Sequence, residues 1–134
     1  MNQQPLVVTL NLSVKTYDID FAGIVSNIVY IRWLEDLRLK LFESYLPLPS
    51  LMKQGYCPVI HSTAIEYKKA LKVFDRPVGK MWMSQIGRLK CTLQAEIYHR
   101  DELVASATQT GLFINLANMR PMAVPKELNA IYQN

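Results

Sequence analysis

The chain has 134 residues, of which 50% are hydrophobic and 19% charged, with a formal net charge of +4. This composition excludes a disordered chain, and the length predicts one domain covering residues 1–134. No stretch approaches the ~20 apolar residues of a membrane span, and Met1–Pro5 lacks the basic and apolar parts of a secretory signal. We therefore expect a cytoplasmic protein without a membrane partner.

The first predicted element is a strand that leads into an acidic loop. Apolar residues alternate with polar ones from Leu6 to Val14, the pattern of a half-buried strand. The loop that follows contains Asp18, Asp20 and Gly23. A carboxylate in a loop just before a helix can be a reactive group, although spacing alone favours a turn or capping aspartate.

A long helix is predicted from Ile28 to about Tyr45. Ser26 and Asn27 are residue types that favour a helix start, and Pro47 follows its end. Five large apolar residues repeat at helical spacing and form one stripe: Tyr30, Trp33, Leu34, Leu37 and Leu41. The helix should therefore pack against other parts of the chain.

The rest of the chain has mainly the pattern of strands. Strands are predicted from Val59 to Lys69, from Lys80 to Tyr98 with a break at Gly87, and from Leu103 to Leu116. Shorter features are a helical turn at Ser50–Lys53, a hairpin turn at His99–Glu102, a turn at Ala117–Pro121 and a tail helix from Pro125. Three or four antiparallel strands form a sheet whose apolar face must be buried against another element. We therefore predict an α+β fold with the antiparallel sheet wrapped around the one long helix.

Several motifs together resemble the hotdog-fold acyl-CoA thioesterases, in particular the branch of 4-hydroxybenzoyl-CoA thioesterase. They are D-x-D-x-x-G-I-V ending at Val25, R-W-L-E-D-L-R at Arg32–Arg38, I-E-Y at Ile65–Tyr67 and M-R-P-M-A-V-P at Met119–Pro125. The resemblance implies hydrolysis of an acyl- or aroyl-CoA thioester to the free acid and CoA, with no metal and no bound cofactor. It also implies a homodimer that joins two sheets, with active sites at the interface, often within a homotetramer.

The resemblance also implies roles for individual residues. Asp20 would be the nucleophile or general base, and the backbone N–H groups at Asn27 and Ile28 would stabilise the oxyanion. Gly23 and Tyr30 would contact substrate, although a simple turn glycine is equally compatible with Gly23. Supporting or structural roles are expected for Asp18, Glu35, Asp36, His61 and His99. Asn27 cannot titrate, unlike the histidine or tyrosine of some relatives at this position.

Seven basic residues and one acid lie between Lys68 and Lys90. Within the resemblance, Arg88 and Lys90 would hold the phosphates of CoA, while solvated strand charges remain the alternative. No recognition motif accompanies the basic residues, so a nucleic-acid partner is not expected.

Other assignments remain open. Met81, Trp82 and Met83 could line an acyl pocket or belong to the core or an interface, and Cys91 fits a core position without metal-site spacing. Two rival functions are an acyl-carrier-protein thioesterase and a non-catalytic acyl-binding protein. Benzoyl-like, naphthoyl-like and medium-chain fatty acyl groups all remain compatible.

Overall fold

A computed structural model describes residues 4–133, so that Met1–Gln3 of the N-terminal segment and Asn134 lie outside the described residues. Within residues 4–133, three α-helices, one 3₁₀ turn at Thr16–Asp18 and six strands make up the fold. The helices are α1 (Asn27–Tyr45), α2 (Leu48–Lys53) and α3 (Lys126–Gln133). The strands are β1 (Val8–Asn11), β2 (Tyr56–Tyr67), β3 (Val78–Ile86), β4 (Lys90–His99), β5 (Glu102–Asn115) and β6 (Arg120–Met122). None of the helices among residues 4–133 is long and apolar enough to cross a membrane.

All the strand pairs are antiparallel, and the strand order is β1-β3-β4-β5-β2, with β6 pairing the end of β5. The β3–β4 and β4–β5 connections are hairpins, which antiparallel strands permit with very short loops. The β4–β5 turn places Arg100 and Asp101 at positive φ, the twist that suits a two-residue hairpin. β1 and β2 are therefore the two edges of the sheet.

The long helix α1 packs on one face of this sheet. The predicted stripe is buried, with Leu34, Leu37 and Leu41 each at most 1% exposed. Across from them lie the inward residues of β3, β4 and β5, among them Met81 and Leu93. Burial of a leucine side chain contributes about 1.5–3 kcal/mol, so this contact is what fixes the helix on the sheet. The predicted α+β architecture of a sheet around one long helix is confirmed.

The observed elements differ from the predicted ones mainly at their ends. The first strand is shorter than predicted. Beyond Asn11 the chain keeps the inward and outward alternation, but Leu12 N–H and Val14 N–H donate to the Pro77 and Asp75 carbonyls, which precede β3. The predicted turn at Ala117–Pro121 in fact leads into β6, a three-residue strand. So short a strand carries no periodic pattern of its own. The break at Gly87 is confirmed as the β3–β4 turn.

Candidate active site

The loop between β1 and α1 is held in place by Asp18. Its carboxylate is buried and accepts a hydrogen bond from the Lys15 backbone N–H at 2.8 Å. The Asp18 carbonyl accepts a second bond, from Ser26 N–H at 2.9 Å, and an isolated bridge pairs Ile19 with Val25. These contacts fold the loop back on itself, so that the segment around Asp20 starts and ends beside the helix.

Asp20 lies at the tip of this folded loop and is only partly buried. Its Oδ1 accepts bonds from the backbone N–H groups of Ala22, at 2.8 Å, and Ile24, at 3.4 Å. The other carboxylate oxygen, Oδ2, has no hydrogen-bond partner within residues 4–133. One oxygen is thus oriented by the loop while the other is available to a reactant.

Gly23 permits the loop to turn. Its φ is +81°, a left-handed conformation that residues with a Cβ rarely adopt. A Cβ built at this position would meet nothing within 4 Å. A glycine is therefore required here by the turn conformation and not by crowding from another part of the chain.

The start of α1 presents unpaired backbone donors. Val29 N–H donates to the Ser26 carbonyl at 3.0 Å, and the side chain of Ser26, the N-cap residue, makes no capping bond. Within the described part of the chain, the N–H groups of Asn27 and Ile28 have no acceptor. Free N–H groups and the positive end of a 19-residue helix dipole can stabilise an oxyanion. Both residues are exposed, and the Ile19–Val25 bridge returns the chain from the Asp20 loop directly to the start of α1.

Tyr67 joins this site from β2, forty residues away. Its hydroxyl donates to the Asn27 carbonyl at 3.4 Å, and its ring meets Tyr30 edge to face with centroids 5.0 Å apart. Tyr30 is 3% exposed, packs on Trp33, and has a pKa raised to about 12, mainly by burial. The structure thus places Tyr30 in the core beneath Tyr67. The only sign of Tyr67 in the sequence was the I-E-Y motif, which gave it no role.

Arg88 and Lys90 lie far from Asp20 within one chain. Lys90 is opposite Leu112 on β5, whereas Tyr67, which contacts the helix start, is opposite Ala105. Seven residues of β5 separate these two positions, or about 23 Å at ~3.3 Å per residue. A single chain therefore does not bring these two basic residues to the loop and helix start.

An apolar cavity of about 270 Å³ lies between α1 and the inner face of β2, β4 and β5, and we term it the helix–sheet cavity. Its wall includes Met83 and Cys91. Burial raises the pKa of the Cys91 thiol to about 11. Glu35 and Arg38 lie at its edge and form an ion pair. Glu35 thus makes a structural contact, as predicted. Trp82, by contrast, alternates with these inward residues and carries Lys80 over its ring.

The two histidines lie elsewhere. His61 is exposed on β2, and His99 lies 3.8 Å from Asp75 near the β4–β5 turn. Among residues 4–133, neither forms a hydrogen bond or ion pair with Asp20 or with the start of α1.

Comparison with known proteins agrees with this architecture. The chain is 23% identical over 119 residues to the acyl-CoA thioesterase YbgC of Haemophilus influenzae, covering 87% of this chain and 88% of that protein. Its structure superimposes on a DHNA-CoA thioesterase from Staphylococcus aureus with a TM-score of 0.87 and 18% identity, over 95% and 89% of the two chains. For a 1,4-dihydroxy-2-naphthoyl-CoA thioesterase from Synechocystis the TM-score is 0.84 at 17% identity, with 96% of each chain covered.

The two structural similarities establish the fold, which confirms the predicted hotdog architecture. The sequence model of the thioesterase-like superfamily matches residues 14–131, from the end of the first predicted strand to the last helix. That range includes the acidic loop, the start of α1 and Tyr67. The chain belongs to the thioesterase-like superfamily.

Proposed function

We propose that this chain is an acyl-CoA thioesterase, with the loop and the start of α1 as its reaction centre. One observation carries the proposal: Asp20, a carboxylate with a free oxygen, lies in the folded loop that leads directly into α1, whose first two N–H groups, at Asn27 and Ile28, are unpaired. Hydrolysis of a thioester needs a nucleophile or base on one side of the carbonyl and donors for the oxygen that becomes negative. Relatives that are named thioesterases support the same assignment.

The proposed reaction uses only water and these groups. The thioester oxygen accepts hydrogen bonds from Asn27 N–H and Ile28 N–H, which polarise the carbonyl. Asp20 then either attacks the carbonyl carbon, so that the C–S bond breaks and an anhydride forms that water later hydrolyses, or removes a proton from a water that attacks the same carbon as the C–S bond breaks. In both routes CoA leaves as a thiolate and takes up the proton that the water loses. No bound cofactor or metal is part of the proposal.

The substitution Asp20→Asn tests the proposal. It keeps the size of the side chain and an oxygen acceptor for Ala22 N–H, so we expect the melting temperature to change little. The rate of acyl-CoA hydrolysis should fall at least ~100-fold, because general-base catalysis contributes about 10²–10⁴. Asp36→Asn, which removes an exposed carboxylate on α1, is the matched control. Hydrolysis by Asp20→Asn at the wild-type rate would refute the mechanism.

We further propose that two chains pair along β2. Within residues 4–133 this twelve-residue strand bonds only to β5, and its other edge is unpaired. A two-fold pairing would bring the Tyr67 end of one strand toward the Tyr56 end of the other. Lys90 lies at that second end, in the same row as Val59. Arg88 and Lys90 of a second copy would then reach the CoA phosphates, and two such dimers would form the expected tetramer.

Two measurements test this assembly. Light scattering should give a mass of twice or four times 15.4 kDa, and a monomer would refute the pairing. Replacing Arg88 and Lys90 with alanine should raise KM for an acyl-CoA but not for the same acyl group on pantetheine, which lacks the nucleotide phosphates. An equal effect on both substrates would mean that these residues do not bind phosphate.

A further inference from the structure

The helix–sheet cavity has the surface of a hydrocarbon site. Twelve of its fourteen lining residues are apolar, including Phe42, Leu93 and Phe113. Its volume of about 270 Å³ is close to the lower end of the ~300–1,000 Å³ typical of small-molecule sites. A cavity of this kind between a helix and its sheet is favourable for an apolar group that would otherwise contact water.

The two polar residues at the cavity edge leave no uncompensated charge. Arg38 pairs with Glu35 and also donates to the side-chain oxygen of Gln109 at 3.0 Å. Gln109 in turn donates to the Thr63 hydroxyl at 3.1 Å, so this buried amide is bonded on both sides. A ligand with a terminal carboxylate would find no free cation here, whereas a hydrocarbon would meet groups whose hydrogen bonds are already made.

An exposed apolar face of α1 connects the reaction centre to this cavity. Ile28, Ile31 and Leu39 are 57%, 44% and 47% exposed, and their spacing places them with Glu35 on one side of the helix. Ile28 supplies one of the unpaired N–H groups, and Leu39 lines the cavity. From Asn27 to Glu35, at the cavity edge, is eight residues, or about 12 Å at ~1.5 Å per residue.

We propose that the substrate carries a long aliphatic acyl chain, which follows this face of α1 from the thioester carbonyl and ends in the helix–sheet cavity. An extended hydrocarbon advances about 1.3 Å per carbon, as C–C bonds of ~1.5 Å at tetrahedral angles require, so about ten carbons are needed to reach the cavity. A benzoyl or naphthoyl group is too short. This inference rests on the proposed thioesterase function and narrows its substrate class.

The test is the dependence of kcat/KM on chain length, measured with saturated acyl-CoAs from butanoyl to hexadecanoyl and with benzoyl-CoA. Each methylene that enters the cavity should contribute ~0.8 kcal/mol, a rise of about fourfold, beginning near ten carbons and stopping when the cavity is full. The highest kcat/KM should therefore belong to a chain longer than ten carbons.

Gly111 offers a variant that fills part of the cavity. It lines the cavity, and an added Cβ would lie 3.5 Å from the Val59 carbonyl oxygen and 4.0 Å from Ile60 Cδ1, both ordinary contacts. Gly111→Ala should therefore fold and should lower the ratio of tetradecanoyl to hexanoyl kcat/KM about fourfold. Ala130→Val, on the exposed side of α3, should leave that ratio unchanged.

The outcomes separate this inference from the function on which it rests. Three results would each overturn the aliphatic assignment: equal kcat/KM for all chain lengths, a preference for benzoyl-CoA, or an unchanged tetradecanoyl-to-hexanoyl ratio in Gly111→Ala. Equal kcat/KM for all chain lengths is also what we expect if a second copy of the chain covers this face of α1. Hydrolysis that still depends on Asp20 would then leave the thioesterase proposal standing. If the wild-type protein hydrolyses no acyl-CoA in the series, the thioesterase proposal itself fails.

Discussion

Tyr67 offers a sharp test of how the oxyanion donors are positioned. Its hydroxyl bonds the carbonyl of Asn27, and its ring packs on Tyr30, which is fixed in the core. Both contacts hold the first turn of α1, whose N–H groups we assign to the thioester oxygen. Donors of this kind are effective only when they are held in place before the reaction begins. Replacing Tyr67 should therefore slow the chemical step.

The geometry sets the expected size of the effect. An O···O distance of 3.4 Å is longer than the ~2.5–3.0 Å of a strong hydroxyl bond, so Tyr67→Phe should cost about 0.5 kcal/mol, or roughly twofold in kcat. Tyr67→Ala also removes the ring contact, which contributes ~0.5–1.5 kcal/mol. Together these losses predict a decrease in kcat of about tenfold for the alanine variant.

The assay is steady-state hydrolysis of one acyl-CoA by both variants. We expect kcat to fall in the order wild type, Tyr67→Phe, Tyr67→Ala, with KM nearly constant, because the first turn of α1 acts on the transition state. Tyr98→Phe is the control, since the Tyr98 hydroxyl donates to Glu96 on the same strand, β4, and forms no hydrogen bond with α1. An unchanged kcat in Tyr67→Ala, or a change in KM alone, would refute the positioning role.

Two further predictions concern buried groups. Asp18→Ala leaves Lys15 N–H without its acceptor and should lower the free energy of unfolding, measured by chemical denaturation, by about 1–3 kcal/mol. The control Asp36→Ala should change the free energy of unfolding little. Equal effects of the two substitutions would contradict the structural role of Asp18. Burial raises the Cys91 pKa to about 11, so its reactive thiolate is scarce at pH 8. In a Cys57→Ser variant Cys91 is the remaining thiol, and it should react with iodoacetamide only as the pH approaches 11 or after unfolding. Labelling of the native variant at pH 8 as fast as that of the unfolded chain would show that Cys91 is accessible.

Much of the fold could be predicted because it depends on local periodicity. The stripe that includes Leu34, Leu37 and Leu41 repeats at helical spacing and is buried as expected, and α1 begins and ends within one residue of its predicted limits. Asp18 makes the backbone contact in the loop that was expected of it, whereas the catalytic role of Asp20 stays a prediction. The exact ends of β1 and β2 were less predictable, since they depend on pairing with distant strands.

The relation between the parts of the site could not be obtained from the sequence. Tyr67 reaches the start of α1 because β2 lies at the edge of the sheet beside β5, and no local pattern encodes that order. Lys90 was expected to hold the CoA phosphates, and only strand register shows that it lies at the opposite end of β2 and β5 from Tyr67. Register follows from the whole set of strand pairs, including the irregularity between Ile60 and Ser62.

The position of β2 at the sheet edge affects how the chain folds during translation. Its only neighbour within the described residues is β5, which begins at Glu102 and emerges from the ribosome well after Tyr67. β3 and β4 can form their hairpin early, whereas β2 must wait, and an unpaired strand invites aggregation with other nascent chains. The proline at position 58 and the lysine pair at 68 and 69 are residue types that discourage such contacts. The edge is thus protected during synthesis by its own sequence until a lasting partner covers it.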